Sequence, residues 1–191
     1  MNTLQVNELD PSQVRVFKSR CAAVALSLLA FTVCARADDS PTVPASLVVP
    51  AGNEVHFHAH AVGVQIYTWN GTAWVFKAPE AVLFDSAGNV VGIHYAGPSW
   101  ESRDGSKVVG VRLAGSTVDP TAIPWLLLRA ATTTGPGVLA RTTYIQRVNT
   151  RAGLAPATAG TSIGQEARVA YTADYYFYRA VNDEFDGQEQ E

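Results

Sequence analysis

From Glu54 onward the chain alternates with a period of two. Val55, Phe57, Ala59 and Ala61 interleave with Glu54, His56, His58 and His60, which predicts a strand with one apolar and one polar face. Val64 to Trp69 and Thr72 to Phe76 flank Asn70-Gly71, a pair that tolerates positive φ at both central positions of a two-residue hairpin turn. That register sets Tyr67 opposite Trp74, Trp69 opposite Thr72 and Gln65 opposite Phe76. Further turns are predicted at Asp85-Ser86-Ala87-Gly88, Arg103-Asp104-Gly105-Ser106 and Thr134-Gly135-Pro136-Gly137, each between strand-like runs. Trp125 to Thr133, Val138 to Val148 and Val169 to Tyr178 complete the set, while Pro79-Glu80-Ala81 and Ala152 to Gly164 read as loops. No helical period of useful length appears. The expected class is all-β: a single-domain antiparallel β-sandwich or barrel of roughly eight to ten strands.

The N-terminal part differs in kind. Arg15, Lys18 and Arg20 precede an apolar run from Cys21 to Val33, and Ala35-Arg36-Ala37 supplies small residues for cleavage, the pattern of a secretory signal peptide. Residues 1–37 are therefore expected to be removed after Ala37, leaving a secreted or periplasmic protein without a transmembrane segment. Lipidation at Cys34 is disfavoured by the bulky Val33 before it. An extended leader is expected over 38–50, a β domain over 51–180 and an acidic disordered tail over 181–191. Both cysteines, Cys21 and Cys34, fall in the removed segment, and a core of this size needs no disulfide.

Composition agrees with a folded core: 47% of residues are hydrophobic and 16% charged. The formal net charge is −3, and it grows more negative without Arg15, Lys18, Arg20 and Arg36. The uncompensated acids Asp183, Glu184, Asp186, Glu189 and Glu191 all lie in the tail. Nucleic acid is excluded as a partner because phosphate binding needs a basic footprint.

Gly63-Val64-Gln65-Ile66-Tyr67, Ala78-Pro79-Glu80-Ala81, Leu83-Phe84-Asp85, His94 to Glu101, Asp104 to Val108, Ile123 to Leu127, Ile145 to Thr150 and Tyr171 to Tyr178 occur in order. Together these blocks resemble the domain of unknown function 3455 (DUF3455) family of secreted proteins, over about residues 47 to 178. The resemblance implies no established activity. It places a cysteine where this chain has Trp69 and a second near Gly160, both absent here, which implies that packing replaces a link. The histidine run draws no support from the resemblance.

Several constellations carry candidate chemistry. His56, His58 and His60 share one strand face at a spacing of about 6.6 Å, an arrangement that offers ligands to a divalent metal with Glu54 or His94 completing the set. The alternative is a solvated polar face, and a straight row does not converge on one ion. His94, Glu101 and Asp104 are the acid/base candidates, although Asp104-Gly105 equally marks a hairpin end. No serine lies in a nucleophile elbow, the stretch around Ser162 included, and no glycine-rich stretch has phosphate-loop spacing.

A ligand cleft is expected around His94, Tyr95, Trp100, Glu101 and Asp104, with Gln146 and Arg147 as polar groups that demand partners if they face inward. The leading reading is a non-catalytic domain binding a small molecule, a glycan or another envelope ligand, with no cofactor expected. The runner-up is a hydrolase or metal-dependent enzyme using His94, Glu101 and Asp104 or the histidine row. A structural assembly subunit joined through exposed strand edges is the third.

Overall fold

The computed structural model describes residues 40–181. The expected signal peptide and its cleavage point lie outside the described residues, as does the acidic tail beyond Val181. A short 3-10 helix, Ala45–Leu47, precedes eight strands: β1 (Asn53–Trp69), β2 (Trp74–Phe84), β3 (Val90–Tyr95), β4 (Ser99–Ser102), β5 (Lys107–Ser116), β6 (Trp125–Thr134), β7 (Thr142–Ala152) and β8 (Glu166–Ala180). Each strand pairs antiparallel with the next, and β8 closes on β1, giving an eight-stranded barrel in sequence order. The all-β expectation holds, and of the two architectures the barrel is the one formed. Among the described residues no helix is long and apolar enough to cross a membrane.

Alternation dictates the interior. Phe57, Ala59 and Ala61 of β1 face Trp100, Val108, Leu128, Ile145, Ala173, Tyr175 and Phe177 in one apolar cluster. Ala59 pairs with Tyr175 and Ala61 with Leu83, so small and large side chains interdigitate in a narrow barrel. Burial of each large apolar side chain contributes roughly 1.5–3 kcal/mol. This packing fills the end of the barrel where Phe57 pairs with Phe177.

Three expectations are corrected. The Asn70-Gly71 corner is a four-residue connection, in which the Asn70 side-chain oxygen accepts from the backbone N–H groups of Thr72 and Ala73, both at 2.9 Å. Tyr67 therefore pairs with Phe76 and Trp69 with Trp74. The slip of two residues keeps Tyr67, Trp69, Trp74 and Phe76 on one face, and a bulge between Ile66 and Tyr67 makes the shift three at Gln65.

Pro79 lies inside β2, opposite Gln65, and not in a loop. Pairing of β2 with β3 begins only at Ala81, so the missing proline N–H falls where β2 has one neighbour.

The stretch from Val138 to Arg141 is a turn, and β7 starts at Thr142. In addition, the leader is docked: Leu47 is 0% exposed, and its carbonyl accepts from Gln146 Nε2 at 2.6 Å.

At the positions where the resemblance places cysteines, Trp69 and Gly160 touch. A Cβ at Gly160 would lie 2.5 Å from Trp69 Cγ, so the indole occupies the space.

Candidate functional site

Packing gives way to space at the other end of the barrel. From Trp74 to Glu80, β2 has no β3 partner, and the gap between its first residues and the Ala96-Gly97-Pro98 connection opens a cavity of ≈ 560 Å³. That volume lies within the usual range for small-molecule sites, about 300–1,000 Å³. Tyr67, Phe76, Leu126 and Leu128 supply apolar wall, and Gln65, His94 and Arg147 supply polar groups, with Lys77 and Arg112 also in the lining.

Arg147 is the interior charge. Inward-facing Tyr175 is its cross-strand partner, and Arg147 Nε and Nη2 both donate to the Pro124 carbonyl, at 3.1 and 2.8 Å. Pro124 is held in turn, because Thr150 Oγ1 donates to the Ile123 carbonyl at 2.6 Å and Ile123 N to the Ala152 carbonyl at 2.9 Å. The guanidinium field opposes the upward push that burial gives Tyr67, Tyr171 and Tyr175, and adds to the downward push on His94. Burial dominates in each case, so the phenols stay protonated. The His94 imidazole is pushed down to about 3 and stays neutral.

Gln65 is 2% exposed. Its amide lies near enough to the Tyr171 hydroxyl to influence its ionisation, yet its Nε2 makes no hydrogen bond. Buried donors are normally satisfied; this one lines the cavity. Tyr67, by contrast, spends its hydroxyl on the Gly153 carbonyl at 2.7 Å.

The expected single cleft is divided by the pleat. His94 and Trp100 point inward and stack, at 3% and 1% exposure. His94 Nδ1 donates to the Ser99 carbonyl at 2.8 Å. Their neighbours Tyr95 and Glu101 point outward, where the Tyr95 hydroxyl donates to Glu101 Oε2 at 2.9 Å and Lys107 Nζ sits 5.0 Å over the tyrosine ring. This pair rims a shallow outer groove of ≈ 620 Å³ with exposed Val62, Val82 and Ile93.

Asp104 serves the β4–β5 turn. Its carboxylate accepts from Ser106 N, Ser106 Oγ and Val138 N at 2.9, 2.6 and 2.7 Å, and these bonds hold it down at about 2. His94, Glu101 and Asp104 therefore do not converge as an acid/base set. Of the polar pair on β7, Arg147 reaches the cavity. Gln146 faces the outer side, buried with Leu47 and Tyr178, whose hydroxyl donates to Gln146 Oε1 at 2.6 Å.

The histidine row lies on the outer face of β1. His60 Nδ1 and His58 Nε2 approach one oxygen of Asp174 at 2.9 and 3.6 Å, and Asn149 Nδ2 donates to the other at 2.9 Å. These bonds outweigh burial and hold Asp174 well below the ordinary carboxylate range. His56 stands apart, its Nε2 3.4 Å from Thr142 Oγ1; burial, with Arg179 and Arg141, lowers it to about 4. Among the described residues no group of three or more His, Cys, Asp or Glu is arranged to hold a metal ion.

Sequence reasoning reached Arg147 and His94 but passed over Lys77, Arg112, Leu126 and Leu128 as cavity lining. The available signal was Gln65, a lone amide in phase with Tyr67 and Trp69 on an inward face.

A family model described as a protein of unknown function (DUF3455) matches residues 50–179. No curated protein and no solved structure matches the chain.

Proposed function

The chain belongs to the DUF3455 family, and for this member we propose an exported, non-catalytic binding protein that takes a small, largely apolar molecule into the open end of its barrel. The observation that carries the reading is the cavity itself: a half-open space walled by Tyr67, Phe76, Leu126 and Leu128, with a few convergent polar groups at Gln65, His94 and Arg147. Small barrels use such a space for one ligand when side chains do not fill it. Export rests on the basic, apolar and small-residue succession of residues 15–37. A glycan has weaker support, because among the described residues no tryptophan lines the cavity.

The test is titration with 8-anilinonaphthalene-1-sulfonate, a dye that brightens in apolar surroundings. Saturable binding of one dye per chain, lost when Leu126→Trp fills the space, is expected. Dye fluorescence that never saturates, or that survives the filling substitution, contradicts the proposal.

A further inference from the structure

Resting on that binding reading, we infer that the ligand carries a carboxylate, received by the guanidinium of Arg147 and the side-chain amide of Gln65. In a chain of net charge −3, the cavity is lined, among the described residues, by three cations, Lys77, Arg112 and Arg147, and by no Asp or Glu. Lys77 is satisfied by Glu166. Neither Arg112 nor Arg147 pairs with a carboxylate among the described residues.

A half-buried arginine without a counter-ion is unfavourable, and a neutral carbonyl such as that of Pro124 positions the group without cancelling its charge. Bonds from Nε and Nη2 to one oxygen leave further N–H donors of the planar fork, whose geometry matches a carboxylate better than a hydroxyl. Gln65 adds a buried N–H donor with no partner. One anionic group closes both accounts.

Among the remaining interior polar groups the Tyr175 hydroxyl also takes an Arg147 donor, and being neutral it leaves the guanidinium charge uncancelled. The phenols of Tyr171 and Tyr175 stay protonated, and His94 carries no charge at neutral pH because burial keeps its imidazole neutral. The positive field therefore comes from the arginines alone, and selectivity for an acid is independent of pH near neutrality. Tyr67, Phe76, Leu126 and Leu128 receive the rest of the molecule, so the class is a monocarboxylic acid with an apolar body, such as a medium-chain fatty acid or an aromatic acid.

The experiment is isothermal titration at pH 7.5 of the folded protein, and of Arg147→Met and Arg147→Lys, with octanoate and with octan-1-ol. Octanoate is expected to bind the wild type roughly 10- to 100-fold more tightly than the alcohol. Arg147→Met should erase that preference while leaving alcohol binding, which also shows the variant is folded. Arg147→Lys, should the methionine variant not fold, is expected to retain only part of the preference. Equal binding of acid and alcohol to the wild type, or a preference unchanged in both variants, overturns the carboxylate and leaves the cavity reading standing. No binding of either compound overturns both.

Discussion

His94 and Trp100 are cross-strand partners on β3 and β4 whose rings lie 4.4 Å apart at 8°. Tyr175 meets both, at 5.0 and 5.4 Å, and Phe177 meets the indole edge-on. The stack plugs the barrel, so residues that read as a ligand platform in the sequence form the floor beneath the cavity instead. Trp100→Ala is expected to cost about 3–5 kcal/mol, read from urea unfolding. Trp100→Phe, which keeps an aromatic ring in the stack, should cost less than half of that. An alanine variant as stable as the wild type contradicts the packing described.

Acid should weaken the fold through His94. Its native value of about 3 lies below the ordinary 6.5, so the unfolded chain takes up the proton first. Stability is therefore lost progressively as pH falls below 6.5, until about 3. Half-buried His56, lowered to about 4, acts in the same direction with a smaller share. Between pH 7 and 5 Asp104 and Asp174, with an ordinary value of 3.8, remain ionised in both states and contribute little. Unfolding free energies of the wild type and His94→Gln at pH 7 and pH 5 check this. The variant should lose less on acidification, and equal losses would contradict a buried neutral imidazole.

Asp104→Ala removes the acceptor for three donors around the β4–β5 turn, one of them the fully buried Ser106 hydroxyl. A loss of about 1–3 kcal/mol is expected. Dye binding should be unchanged, because Asp104 does not line the cavity. A variant with normal stability and impaired binding would return Asp104 to a ligand role.

A Cβ built at Gly160 would lie 2.8 Å from Trp69 Cβ, about 1 Å inside the Cβ separation of about 3.8 Å in a disulfide. The double variant Trp69→Cys/Gly160→Cys should therefore oxidise after a shift of the Gly160 loop by about 1 Å away from β1, with the barrel itself unchanged. Intact mass under oxidising conditions, 2 Da below the reduced form, is the readout. Two persistently free thiols would show that the loop does not sit on the indole.

Much of the fold was legible because alternation fixes which residues share a face. Phe57, Ala59 and Ala61 against His56, His58 and His60 are one instance. Turn chemistry marked the corners at Asp85 and Asp104, yet at Asn70 the side chain bridges two N–H groups and widens the connection. Closure was not legible, since β1 meets β8 from more than one hundred residues away and no local pattern encodes that partner.

The site was half legible for the same reason. Period two separates Trp100 from Glu101 but does not say which faces inward. Arg147 and Gln146 are adjacent polar residues on opposite faces, and the outer one is buried where Leu47 and Tyr178 bond to it. The missing β3 partner for the first residues of β2, which opens the cavity, depends on register alone.

The central claim is that a ligand enters the barrel end walled by Tyr67, Phe76 and Leu128 and does not settle in the outer groove. Two-dimensional NMR of labelled protein titrated with octanoate tests it most directly. Saturable shifts at Gln65, Phe76, Leu128 and Arg147 are predicted, with Val62, Val82 and Ile93 unmoved; shifts centred on the latter three, or none that saturate, would contradict it.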